Sequence, residues 1–198
     1  MIGPLLLATT NTGKIREIRA VLDRAGVPLL TLADVAPVAV PEESGASFWE
    51  NARLKALAYA EATGHMVVAE DSGLEVAALG GAPGVLSARF LGPDVPYPAR
   101  FEEIYRRLEM VGTGNREARF TCALAVASGP RLLFEAEAWI DGEIAPAPAG
   151  AYGFGYDPIF FYPPLGKTSG EMTLQEKTMV SHRARAFRDL ARWLRRTL

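Results

Sequence analysis

One cysteine, one glutamine, two histidines and four lysines are all that 198 residues hold of those types. The single cysteine, Cys122, rules out a disulfide within the chain. Its place in the apolar run from Phe120 to Ala127 reads as a buried, inert thiol rather than a nucleophile or ligand. Two histidines argue against a histidine-built metal site, since His65 sits beside Gly64 in an expected surface turn, far from His182. No stretch approaches the roughly 18 to 20 apolar residues that span a bilayer, and Pro4 to Thr10 lacks the basic start of a secretory signal. The chain therefore reads as soluble and cytoplasmic, with no membrane partner. An excess of charge is missing as well. A net charge of −2 leaves no general affinity for nucleic-acid backbones, so no stable nucleic-acid partner is expected and any anionic ligand must be met by a local cluster.

With 49% hydrophobic residues, the chain can bury a substantial core as one domain over residues 1–198. Ile2 to Ala8 reads as a buried strand, followed by a helix from Lys14 to Ala25 that Gly26 stops. Ser47 and Glu50 form a capping box before a helix to about Thr63, on which Leu54, Leu57 and Ala58 repeat at helical spacing. Met66 to Ala69 is another buried strand, and Tyr97 to Met110 a third helix. Phe120 to Ala127 and Arg131 to Ile140 read as antiparallel strands joined at Ser128-Gly129-Pro130, with a further tight hairpin at Asp141-Gly142. A last helix opens near Ser181 and runs to about Arg196, with Phe187, Leu190, Ala191 and Leu194 inward and most arginines outward. The mixture predicts an α/β unit with two lobes around a cleft.

Four segments carry chemistry. Thr9-Thr10-Asn11-Thr12-Gly13-Lys14 is a polar loop between a strand and a helix, where backbone N–H groups, hydroxyls and a lysine favour phosphate. It is not a P-loop: Ala8 stands where the first glycine belongs, and Ile15 where the magnesium-binding Ser or Thr does. The second segment is acidic, with Glu42-Glu43-Ser44-Gly45 and then Glu70-Asp71-Ser72-Gly73 directly after a strand. Two acidic loops beside a phosphate loop suit magnesium, which takes a few carboxylates together with water and phosphate oxygens, and a carboxylate can also activate water. In the third, Gly153-Phe154-Gly155-Tyr156-Asp157-Pro158, the glycines can present the Phe154 ring, and Asp157 can hydrogen-bond a base or sugar. The fourth joins Lys177 to Ser181-His182-Arg183, where Ser181 caps the final helix and three donors converge at its start.

Taken together, these segments resemble the inosine triphosphate pyrophosphatase family, enzymes that clear deaminated purine nucleotides. The match spans nearly the whole chain and includes Ser47-Phe48-Trp49-Glu50-Asn51-Ala52 with Lys55, and Gly80-Gly81-Ala82-Pro83-Gly84 running into Ser87-Ala88-Arg89. The resemblance implies hydrolysis of ITP, dITP and XTP to the monophosphate and pyrophosphate with Mg2+, on a long mixed central sheet flanked by helices, in a homodimer. It implies Thr9, Thr10, Asn11, Thr12, Gly13 and Lys14 on the triphosphate, and Glu42 and Asp71 on the metal, with Asp71 also the general base. Ser72 would touch substrate, and Phe154 would stack on the purine within Gly155, Tyr156 and Asp157. Lys177, His182 and Arg183 would complete the nucleoside pocket. One departure is Glu70, where many bacterial relatives look like Asp-Asp-Ser-Gly.

Overall fold

The structure is a computed structural model and describes residues 4–197; Ile2 and Gly3 of the expected first strand lie outside the described residues. A seven-stranded mixed sheet forms the centre, in the order β2-β1-β3-β4-β5-β6-β7. Its strands are β1 (Leu5–Leu7), β2 (Leu29–Thr31), β3 (Met66–Val76), β4 (Glu117–Ser128), β5 (Arg131–Ile144), β6 (Phe160–Tyr162) and β7 (Lys167–Thr168). β1 runs parallel to both β2 and β3, whereas β6 is antiparallel to β5 and to β7. The helices are α1 (Thr12–Leu22), α2 (Phe48–Thr63), α3 (Tyr97–Val111), α4 (Leu174–Val180) and α5 (His182–Thr197). None of the described helices is long and apolar enough to cross a membrane.

The chain divides into two compact units, and the division falls inside three strands: after Asp71 in β3, after Thr121 in β4 and after Ala138 in β5. The first unit comprises residues 1–71, 122–138 and 178–198. Its largest core packs α1 (Ile18, Val21, Leu22) and α5 (Phe187, Leu190, Leu194) against Leu5 and Leu7 of β1, Val68 of β3 and Cys122, Leu124 and Val126 of β4. The even spacing of Cys122, Leu124 and Val126 in β4 is the period of a strand, which turns every second side chain to one face. α1 ends at Leu22, short of the expected Ala25, and passes into a 3-10 turn over Asp23–Ala25 that Gly26 closes, whereas α2 ends where its sequence dictates. Gly26 and Gly64 both take the left-handed conformation, and Gly64 closes α2 by donating its N–H to Ala60.

The second unit comprises residues 72–121 and 139–177. α3 lays Phe101, Ile104 and Leu108 on Leu74, Val76, Phe120, Ile140 and Phe160. The fully buried Arg100 is satisfied without a carboxylate: its guanidinium donates to the carbonyls of Ser87, Ala88, Gly92 and Val95 at 2.8–3.0 Å, holding the segment ahead of α3.

Three further sequence expectations change. β3 does not stop at Ala69 but continues through the acidic residues to Val76, because residues 70–76 stay paired in the middle of the sheet. Asp141-Gly142 makes no hairpin and lies within β5. Gly142 is needed there for close approach, since a Cβ would stand 2.4 Å from the Phe161 carbonyl oxygen and 2.7 Å from the Phe160 ring. On α2 the buried residues are Phe48, Asn51, Ala52, Lys55, Ala56, Tyr59 and Ala60, while Leu54 is exposed and Leu57 and Ala58 only half-buried. Ala52, Ala56 and Ala60 line the inner face beside Phe48, Asn51, Lys55 and Tyr59, so the expected Leu54-Leu57-Ala58 stripe is not the one buried.

Candidate functional site

Glu70 and Asp71 are consecutive in β3, and alternation sends their carboxylates to opposite faces of the sheet. Glu70 shares its face with Val68 and therefore meets α1 and α5. Its Oε1 lies 2.7 Å from Lys14 Nζ and 3.6 Å from Arg183 Nε, and its Oε2 accepts from Cys122 Sγ at 3.4 Å. Arg183 Nη1 donates to Glu17 Oε2 at 2.6 Å. Two carboxylates and two cations thus form a compensated cluster in the interior, with Glu17, Glu70 and Arg183 all buried. Burial alone would raise the Glu70 carboxyl, but Lys14 and Arg183 override it and hold the group well below the usual carboxylate range. Burial and the adjoining Glu70 charge push the Cys122 thiol far up, away from the thiolate form.

Asp71 faces α2. Its Oδ2 accepts from Asn51 Nδ2 at 3.0 Å, and its Oδ1 lies 3.3 Å from Lys55 Nζ, which also reaches Glu43 Oε1 at 2.7 Å. Asn51 and Lys55 are four residues apart and so share one helix face. Here burial wins: the Asp71 carboxyl is raised above its ordinary value despite Lys55, Lys14 and Asn51. Burial would lower the Lys55 ammonium, yet the Asp71 and Glu43 carboxylates raise it. Glu42 is exposed, and its neighbour Glu43 is the residue of that loop tied to Lys55.

The phosphate-loop segment leads from β1 into α1. Asn11 is the N-cap, its Oδ1 accepting the Lys14 N–H at 3.1 Å, while Thr9 Oγ1 accepts the Asn11 N–H at 3.2 Å. Thr10, Asn11 and Thr12 are exposed, and Lys14 leans from the first turn of α1 onto Glu70. Ser47 caps α2 by accepting the Glu50 N–H. The reciprocal half of the expected capping box is displaced by one residue, because the Glu50 carboxylate takes the N–H of Ala46.

In the second unit, Gly153 and Gly155 take left-handed conformations and carry Phe154 between them. Asp157 Oδ2 organises this turn by accepting the Phe154 N–H and the Lys177 ammonium, both at 2.7 Å. A Cβ on Gly153 would come within 2.1 Å of that oxygen, so glycine is required twice over. Lys177 Nζ stands 5.5 Å from the centroid of the Phe154 ring. Tyr156 turns inward, edge-on to Tyr97 at 5.2 Å, with its hydroxyl donating to the Ser87 carbonyl, and burial pushes it up to about 12. Ser72 follows Asp71 in β3 and is half-buried.

The first unit therefore gathers Lys14, Glu17, Glu70 and Arg183 on one face of β3 and Asp71, Asn51, Lys55 and Glu43 on the other, and the second unit brings together Phe154, Asp157 and Lys177. His182 is buried in the first turn of α5, behind the Ser181 cap that accepts the Ala184 N–H. Glu17 and Asn51 received no role from the sequence. The signal for Asn51 was an amide four residues before a lysine on an alanine-rich helix face. For Glu17 there was none, since a glutamate in the second turn of a helix is ordinarily solvated.

Comparisons with known proteins point to a single family. The Ham1 family model matches residues 5–193. A dITP/XTP pyrophosphatase of Syntrophobacter fumaroxidans is 50% identical over 95% of this chain and 80% of its own length. One from Gloeobacter violaceus is 51% identical over 96% and 93%. The solved structure of a HAM1 protein from Coxiella burnetii superposes with a TM-score of 0.88 at 34% identity, covering 99% of this chain and 100% of that one.

Proposed function

The chain belongs to the Ham1 family, and from that premise and the geometry above we propose that it hydrolyses non-standard purine nucleoside triphosphates (ITP, dITP and XTP) to the monophosphate and pyrophosphate. The observation that carries the reading is the opposite treatment of two neighbouring carboxylates. Glu70 is neutralised and anchors the lysine of the phosphate loop, while Asp71 is left with a raised carboxyl on the other face.

In this reading Thr9 to Gly13 and Lys14 hold the triphosphate through N–H groups, hydroxyls and the ammonium. Asp71 takes the proton from the water that attacks the α-phosphorus, and a raised carboxyl is the better base for that task. Lys55, between Asp71 and Glu43, offsets negative charge where the phosphate would add more. Magnesium enters this reading through the family resemblance: among the described residues no group of three or more His, Cys, Asp or Glu side chains is arranged to hold a metal ion, and Mg2+ is commonly held by one or two carboxylates, with phosphate and water filling its shell. Asp71, with Glu42 or Glu43 from the acidic loop, would hold it, and the bound ion would neutralise phosphate oxygens and the departing pyrophosphate. Phe154 stacks on the purine beside Gly155, Tyr156 and Asp157. Ser72, Lys177, His182 and Arg183 complete the substrate contacts, and a homodimer is part of the same proposal.

The test is a panel of ITP, dITP, XTP, ATP and GTP assayed with Mg2+ for pyrophosphate against orthophosphate. Pyrophosphate from the first three, with ATP and GTP much poorer, is expected. Equal turnover of ATP and ITP, or release of the γ-phosphate, overturns the assignment.

A further inference from the structure

Asn51 is completely buried on the inner face of α2, where an amide has to find partners for both its ends. It has them. The Gly45 N–H donates to its Oδ1 at 2.8 Å, and its Nδ2 donates to Asp71 Oδ2 at 3.0 Å. A backbone N–H can only donate, so the end of the amide that meets Gly45 must be the oxygen and the end that meets Asp71 must be the NH2 group. The reversed amide would set NH2 against N–H and carbonyl against carboxylate, two repulsive contacts in a buried place.

We propose that Asn51 is the positioning residue for Asp71, and that Gly45 sets the direction of its amide. Asn51 grips one carboxylate oxygen and Lys55, one turn along the same helix, faces the other at 3.3 Å. A carboxylate held at both oxygens from one rigid helix cannot rotate freely, which preserves the attack geometry that general-base catalysis needs. Gly45 has its own reason to be glycine. Its φ lies outside the left-handed region, but a Cβ there would stand 2.7 Å from Asn51 Oδ1 and 2.6 Å from Glu50 Cβ. The acidic loop therefore reaches the Asp71 carboxylate by two routes, from the Gly45 N–H through the Asn51 amide and from Glu43 through Lys55.

The inference rests on Asp71 being the base, and the test separates the two. Steady-state kinetics with ITP are measured for Asn51→Ala, Gly45→Ala, the double variant and Asp71→Asn, each with a melting curve in the absence of metal. Asn51→Ala is expected to lower kcat about tenfold to a hundredfold with KM within about threefold, the range for misplacing a reacting group by an ångström or less. Gly45→Ala, which leaves both side chains chemically intact, should give the same split, smaller. The double variant should have a kcat no lower than Asn51→Ala alone, because without the amide Gly45 has nothing to orient. In the metal-free protein the Asn51 side-chain amide protons should exchange slowly, and faster in Asp71→Ala. If Asn51→Ala fails to fold, Gly45→Ala decides. Unchanged kcat in a folded Asn51→Ala or Gly45→Ala, alongside an inactive Asp71→Asn, overturns the positioning role and leaves the function standing. Retention of kcat by Asp71→Asn overturns the assignment of Asp71 as the base, and the positioning role with it, while ITP hydrolysis itself stands.

Discussion

The two faces of β3 treat adjacent carboxylates in opposite ways. On the face toward α1 and α5, Glu70 meets Lys14 and lies near Arg183, and the four charges of the cluster balance, so the carboxylate is kept ionised deep in the interior. On the face toward α2, Asp71 has one lysine that it shares with Glu43 and one amide, and burial raises its carboxyl. A compensated ion cluster fixes structure; an under-compensated one is held ready for a proton or further positive charge. The comparison predicts that Glu70 acts mainly on stability and Asp71 mainly on chemistry.

The sharpest way to break it is Asp71→Asn. kcat should fall by roughly 10² to 10⁴, the usual worth of a positioned general base, as initial rates with saturating ITP will read. Without metal the variant should melt at pH 7 no lower than the parent, because a carboxyl raised in the folded state costs stability whenever it is ionised. That cost disappears as pH falls through the raised value toward the ordinary 3.8, so any gain in Tm should shrink with acid. A large loss of Tm with the loss of activity would remove the distinction between the faces.

Glu70→Gln is the complementary test. Neutralising one member of a buried ion cluster leaves Arg183 and Lys14 under-compensated, and urea unfolding at pH 7 should show a loss of about 3 kcal/mol or more. The sign of the pH dependence is opposite to that of Asp71. The stability Glu70 contributes is present above its ordinary value of 4.5 and is lost as pH falls from there toward the depressed folded value, so parent and variant should converge in acid.

The smallest effect is expected away from β3. Phe154→Ala should raise KM for ITP with kcat largely kept, since stacking a base on an aromatic face is worth about 1 to 3 kcal/mol. A variant with normal KM and a collapsed kcat would show that the chemistry is not confined to the β3 carboxylates.

Much of this was legible beforehand because it depends on neighbours in sequence. Asn11 and Ser181 cap helices as their types and positions suggest, Gly26 and Gly64 take the left-handed turns only glycine adopts easily, and α5 buries Phe187, Leu190, Ala191 and Leu194 as its period requires. The Gly153-Phe154-Gly155 turn was equally plain, since two glycines around an aromatic announce a special backbone. The Glu70-Asp71 segment stood out as acidic, but its place within a strand did not: acidic residues after an apolar run look like the end of a strand, and only pairing in the middle of the sheet extends β3 through them.

What the sequence determined by itself, then, are the caps, the turns, the α/β pattern and the residue types able to meet phosphate, because each follows from contacts within a few residues. The tertiary structure alone decided which face of α2 is inner, the one that carries Asn51 and Lys55 to Asp71 rather than the one with Leu54 and Leu57. It alone made Gly142 a strand residue instead of a turn, and brought Glu17 and Arg183, which are 166 residues apart, into one bond. Those outcomes depend on the identity of the atoms across the gap, and a chain read one residue after another does not contain that information until it folds.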